Sequence, residues 1–127
     1  MPANKSLSRL PAEWEQQSAI LLTWPHENSD WNDNLASAES VYVNIANHVS
    51  LHEDLIIVCY NQPHQIHIKK ILKQDEVNLE SVHFGIAPSN DTWIRDYGPI
   101  SVTTDSGTHL LDFRFDAWGG KYPSEKD

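Results

Sequence analysis

The sequence predicts an α/β fold: a mixed sheet with flanking helices. Three observations carry that reading. "LIIVCY" at residues 55–60 is an unbroken apolar run with no alternation, the pattern of a strand covered on both faces. Before and after it, apolar residues recur at three- and four-residue spacing, the period of an amphipathic helix. Two later strand-like runs are joined by "DSG" at residues 105–107, an antiparallel hairpin signal.

Taken in order, residues 1–9 are polar and expected to be frayed or disordered. "SAILLTWP" at 18–25 is a buried strand stopped by proline. "PHENSDWNDN" is turn chemistry. A helix is predicted over 34–51, with Leu35, Ala38, Val41, Tyr42, Ile45, Ala46 and Val49 as its apolar face. The strand at 55–60 follows. Asn61 can cap a second helix, with Pro63 in its first turn and Ile66, Ile68, Ile71 and Leu72 along it to about residue 73. "SVHFGIA" at 81–87 is the third strand, and "ISVTT" and "HLLDFRF" form the hairpin. The pattern ends on an aromatic, Gly-rich loop without a closing element. Residues 1–127 are therefore expected to be the N-terminal portion of a longer protein.

Composition narrows the function. A formal net charge of −9 argues against nucleic acid or an anionic membrane surface, which need clustered Lys and Arg, and suits a cationic ligand. No apolar run approaches the roughly 20 residues that span a bilayer, and the first residues lack the apolar core of a signal peptide. With a single cysteine, Cys59, no internal disulfide is possible, and a cytoplasmic protein is the expectation. Cys59 lies inside an apolar strand without a cationic neighbour in sequence and reads as a small core residue, not a nucleophile.

The richest segment is "NDTWIRDYGPI", residues 90–100. It follows a predicted strand, where α/β proteins place ligand groups. A carboxylate on a rigid turn can accept two parallel N–H bonds from a planar guanidinium, and the face of Trp93 can take a cation. Arg95 can pair with Asp91 or Asp96 and fix its direction; an internal ion pair that only braces the turn uses the same residues. A second patch, "FDAWGG" at 115–120, combines Trp118 with Gly119 and Gly120, whose backbone can approach a ligand closely. His48 with His52, and His64 with His67, have helical spacing, yet the Glu of a His-Glu-x-x-His zinc motif is missing, so solvated surface histidines are favoured over a metal site.

"LPAEWEQQSAILLTWPHENSDW", "NDTWIRDYGPISV" and "LDFRFDAWGGKYP" resemble, in order and spacing, the leading third of the agmatine deiminases and bacterial peptidylarginine deiminases. The resemblance implies the N-terminal part of a five-bladed α/β propeller of ββαβ modules. It implies hydrolysis of a guanidino group to a ureido product with release of ammonia through a Cys-thiouronium intermediate, and a place in putrescine biosynthesis. No metal or cofactor is implied; a homo-oligomer is. Asp96 corresponds to one of two carboxylates gripping the guanidinium nitrogens, Trp93 to a substrate-pocket Trp, and Trp118 with Gly119 to the pocket wall. The family's nucleophilic Cys, catalytic His and second Asp fall beyond residue 127, and Asp116 stands where agmatine deiminases carry Asn. Residues 1–127 alone are expected to lack catalysis. The alternatives are a non-enzymatic module that captures a guanidino or polyamine ligand and, more weakly, a metal hydrolase.

Overall fold

The computed structural model describes residues 8–127. Three strands, β1 (Ala19–Thr23), β2 (Asp54–Cys59) and β3 (Val82–Ile86), form a parallel sheet in sequence order. Their register runs Leu21↔Ile56↔His83 and Thr23↔Val58↔Gly85. Helices α1 (Leu35–Val49) and α2 (Gln62–Gln74) make the two crossovers. Parallel crossovers are right-handed, so strands taken in sequence order put both helices on one face.

That face holds the core. Leu55, Ile57 and Cys59 of β2, Ala46 of α1, and Ile68 and Leu72 of α2 are all fully buried, joined by Trp24, Val43, Val77 and Val82. Trp24 meets Tyr42 edge-on at 5.3 Å, and its indole N–H donates to Glu39 Oε1 at 3.1 Å. Buried tryptophan keeps a hydrogen-bond partner in this way. The same Glu39 oxygen lies 2.8 Å from His67 Nε2, which ties the end of β1 to both helices.

Several expectations change. The apolar run of β2 predicted cover on both faces, yet Ile56, on the face away from the helices, is 37% exposed. Both crossovers fall on one side, so little in residues 8–127 covers the other. On α1, Val43 is buried while Val41 and Ile45 are exposed. The stripe through Leu35, Ala38, Tyr42, Ala46 and Val49 fits either flank, and packing against β2 selects the Val43 side. Helix α2 starts as expected: Asn61 accepts the His64 N–H at 2.9 Å, with Pro63 in the first turn.

Parallel and antiparallel pairing are both present, but in two sheets instead of one mixed sheet. β4 (Ile100–Thr104) and β5 (Gly107–Leu111) form a separate hairpin. Its turn is the two-residue loop Asp105-Ser106, closed by the pair Thr104↔Gly107. The second strand stops at Leu111 and not at Phe115; residues 112–116 run on without a ladder partner among the described residues. Arg9, expected to be frayed, exchanges two backbone hydrogen bonds with Thr103, at 2.9 and 2.8 Å; residues 1–7 lie outside the described residues. One-turn helices α3 (Ile94–Tyr97) and α4 (Ala117–Gly120) complete the chain. Among the described residues, no helix is long and apolar enough to cross a membrane.

Candidate functional site

The loops that follow β1 and β3 leave the carboxyl ends of the two strands that flank β2, the end of the sheet at which open α/β folds bind ligands. Together with residues 115–127 they enclose a cleft of about 140 Å³. Trp93, Trp118, Phe115 and Tyr122 supply its aromatic walls, and Asp30, Asp91 and Asp127 its charged groups; among the described residues no Lys or Arg lines it.

The acids of the 90–100 loop have different jobs. Asp91 is committed to the chain: its Oδ1 accepts the Thr92 N–H at 2.7 Å and the Trp31 indole N–H at 3.1 Å. The Tyr97 hydroxyl lies 2.8 Å from the Asp91 carbonyl oxygen and 2.6 Å from Thr23 Oγ1. A carbonyl can only accept, so Tyr97 donates to Asp91 and receives the Thr23 proton. Burial holds the Tyr97 hydroxyl far above the ordinary phenol range, which keeps that proton in place. Asp127 clamps the same loop, accepting the N–H groups of Asn90 and Asp91 at 2.7 and 3.3 Å; burial pushes its carboxyl above the usual value.

Asp96 is left free. It is exposed on α3, and its carboxylate has no hydrogen-bond or ion-pair partner among the described residues. Arg95 is exposed and pairs with neither acid, so the ion pair that the spacing allowed does not form and the turn is braced by Asp91, Thr92 and Tyr97 instead. Trp93 and Trp118, 47% and 51% exposed, both line the cleft; Asp96 and Gly119 stand outside its walls.

Residues 117–120 form a left-handed turn. Ala117 and Trp118 have φ of 52° and 57°, Gly119 and Gly120 of 85° and 74°. Each non-glycine residue there costs about 1–2 kcal/mol. Asp116 Oδ1 offsets part of this by accepting the Gly119 N–H at 3.0 Å, and Ala117 is buried beneath the turn. The result swings the Trp118 ring outward, edge-on to Phe115 at 5.2 Å and Tyr122 at 6.1 Å. An Asn at 116 would offer the same amide-oxygen cap, so Asp keeps the turn and adds a charge.

Cys59 is fully buried and burial pushes its thiol up to about 11. Iodoacetamide at pH 8 should leave Cys59 unlabelled in the folded protein and label it fully in urea, as read by intact mass; rapid native labelling would refute the core assignment. Three of the four spaced histidines are engaged elsewhere. His48 donates to the Asn44 carbonyl at 2.8 Å, His67 pairs with Glu39, and His64 accepts the Tyr60 N–H at 3.0 Å. Among the described residues no cluster of three or more His, Cys, Asp or Glu is placed to hold a metal ion.

A family model, the Porphyromonas-type peptidyl-arginine deiminases, matches residues 9–127. The chain belongs to that deiminase family. The agmatine deiminase of Stutzerimonas stutzeri is 30% identical over 113 residues, 88% of this chain and 29% of that protein. A substrate-bound C. jejuni agmatine deiminase with a cysteine changed to serine superposes with a TM-score of 0.82 at 32% identity, over 94% of this chain and 34% of that one. Another C. jejuni agmatine deiminase structure gives 0.75 at 29% identity, over 87% and 32%. The chain thus spans about a third of the length of these deiminases. Sequence reasoning missed Trp31, Tyr97 and Asp127 as supports of the 90–100 loop; for Trp31 and Tyr97 the available signal was that each Trp or Tyr polar atom must find a partner, and Asp127 gave none.

Proposed function

We propose that the full-length protein hydrolyses the guanidino group of agmatine to a ureido product and ammonia. The observation that carries this is the cleft itself: aromatic walls, three carboxylates and, among the described residues, no cationic side chain, with an unbonded Asp96 three residues beyond the Trp93 wall. A flat cation with an amine at its far end fits that lining. Free arginine and peptidyl arginine with a terminal carboxylate would bring a negative charge against Asp30, Asp91 and Asp127.

In this reading Asp96 accepts two guanidinium N–H bonds and orients the cation, in the way a preorganised carboxylate offsets desolvation of its ligand. Trp93 covers the cation face, and Trp118 and Gly119 bound the methylene chain. The attacking thiolate comes from outside residues 1–127, because Cys59 is buried and held protonated. It adds to the guanidinium carbon, one amino group of the tetrahedral adduct takes a proton from a general acid and leaves as ammonia, and water, giving its proton back to that group, displaces the thiolate from the thiouronium carbon to give the ureido product. Loss of the ureido carbamoyl group in a later hydrolysis would leave putrescine, which places the reaction in polyamine synthesis. The remaining blades of the five-bladed propeller would complete the pocket. The names of the matched relatives support the substrate, and the cysteine change in the substrate-bound relative supports a thiol step.

The test is ammonia release by the full-length protein. We expect kcat/KM for agmatine to exceed that for arginine by on the order of a hundredfold or more, since a carboxylate facing like charges in a cleft costs a few kcal/mol. Equal use of arginine would overturn the acid-cleft argument. Tight binding of agmatine without ammonia release would instead favour a capture module.

A further inference from the structure

We propose that His26, in its neutral form, is a positioning residue that pins the loop after β1 to the loop after β3 and so sets the width of the aromatic cleft. His26 is 3% exposed. Its Nδ1 accepts the N–H of Asn28 at 3.2 Å, and its Nε2 lies 3.2 Å from Ser89 Oγ. A backbone N–H can only donate, so Nδ1 carries the lone pair and Nε2 carries the proton given to Ser89. Asn28 lines one side of the cleft. Ser89, itself 5% exposed, lies two residues before Asp91 on the other. The imidazole also stacks on Tyr60 at the end of β2, with ring centroids 4.3 Å apart. One side chain therefore touches the chain leaving all three parallel strands.

His64 makes the arrangement a pair. Its Nδ1 accepts the Tyr60 N–H at 3.0 Å, and its Nε2 donates to the Pro25 carbonyl at 3.1 Å. The two rings are 6.0 Å apart. A proton on either ring removes the acceptor of a backbone N–H and places a buried charge beside the other ring. The charged neighbours are Asp91, Asp127 and Lys126 around His26, and Glu39 and His67 around His64. Burial is the largest influence on both and holds both below the ordinary imidazole value, against the smaller pull of the acids. The sign follows. The pinned state needs both rings neutral and is favoured above the ordinary His value of about 6.5. As pH falls through that value, opened or unfolded chains take the protons first and the pinned state loses ground.

The activity arm rests on the agmatine reading; the spectroscopic arm does not. In the full-length protein, His26→Phe keeps a ring against Tyr60 but removes both hydrogen bonds, and Ser89→Ala removes one. KM for agmatine should rise on the order of tenfold for His26→Phe and by less for Ser89→Ala, with kcat within about twofold, the signature of a lost binding geometry. If His26→Phe does not fold, Ser89→Ala carries this arm. Independently, imidazole ¹⁵N shifts at neutral pH should report protonated Nε2 and bare Nδ1 for His26. On acidification the amides of Asn28 and residues 89–92 should shift with the same midpoint, below 6.5. The inference is overturned by unchanged KM in the folded variants, by the opposite tautomer, or by a His26 titration that leaves those amides still. If no guanidine is deiminated, the functional reading falls, and the NMR result alone decides this one.

Discussion

If Asp96 grips the guanidinium as proposed, Asp96→Ala in the full-length protein should lower kcat/KM for agmatine by on the order of a thousandfold or more, because the variant loses a carboxylate that orients the cation and offsets its charge. Its thermal unfolding midpoint should move by no more than about 2 °C, since an exposed surface group with no partners leaves little behind. Asp96 meets that condition; its neighbour five positions earlier does not. Asp91→Ala would take acceptors from Trp31 and from the Thr92 amide, so its first effect is on stability. Measuring both variants by steady-state kinetics and calorimetry separates the two acids. A near-normal Asp96→Ala enzyme would mean that the guanidinium is gripped elsewhere.

Gly98→Ala is expected to be the next most damaging to activity, through geometry alone. Gly98 has φ −67° and ψ 165°, which alanine adopts freely, so the torsions are not the obstacle. The obstacle is contact: an added Cβ would overlap the Ile94 carbonyl oxygen and press on its side chain. That carbonyl accepts the Gly98 N–H at 2.7 Å and closes α3. Relief requires the carbonyl to swing or α3 to unwind, and Asp96 sits inside that single turn. A displacement of about 1 Å at a group that orients substrate is worth about a hundredfold in rate, with a stability loss of about 1–3 kcal/mol for the overpacking. Kinetics near those of the parent, together with an unmoved Asp96 in a crystal structure of the variant, would count against this.

Much of the parallel half was legible in the sequence. β1, β2 and β3 were marked by short apolar runs between turn residues, and α2 by the Asn61 cap with Pro63 behind it. Those signals are local, and packing did not overrule them. What was not legible depends on contacts distant in sequence. The choice of Val43 over Val41 on α1 is made by β2. The exposure of Ile56 follows from both crossovers lying on one side. The separation of Asp91 from Asp96 is made by Trp31, some 60 residues away in the chain. His64 looked like half of a spaced surface pair because spacing records its helix and not the Tyr60 amide and Pro25 carbonyl it serves. Trp93 and Trp118 were candidates because each indole stands beside glycine and acids in turn-rich sequence near a predicted strand end, and because both match the family motifs.

The backward-wound turn at 117–120 has a further consequence. An L-alanine Cβ at Gly119 or Gly120 would meet nothing within 4 Å, so volume does not reserve these positions for glycine. Chirality does. A semisynthetic chain with D-alanine at either site would adopt the required torsions naturally and, by having fewer unfolded conformers than glycine, would hold the Trp118 wall more firmly than the natural residue.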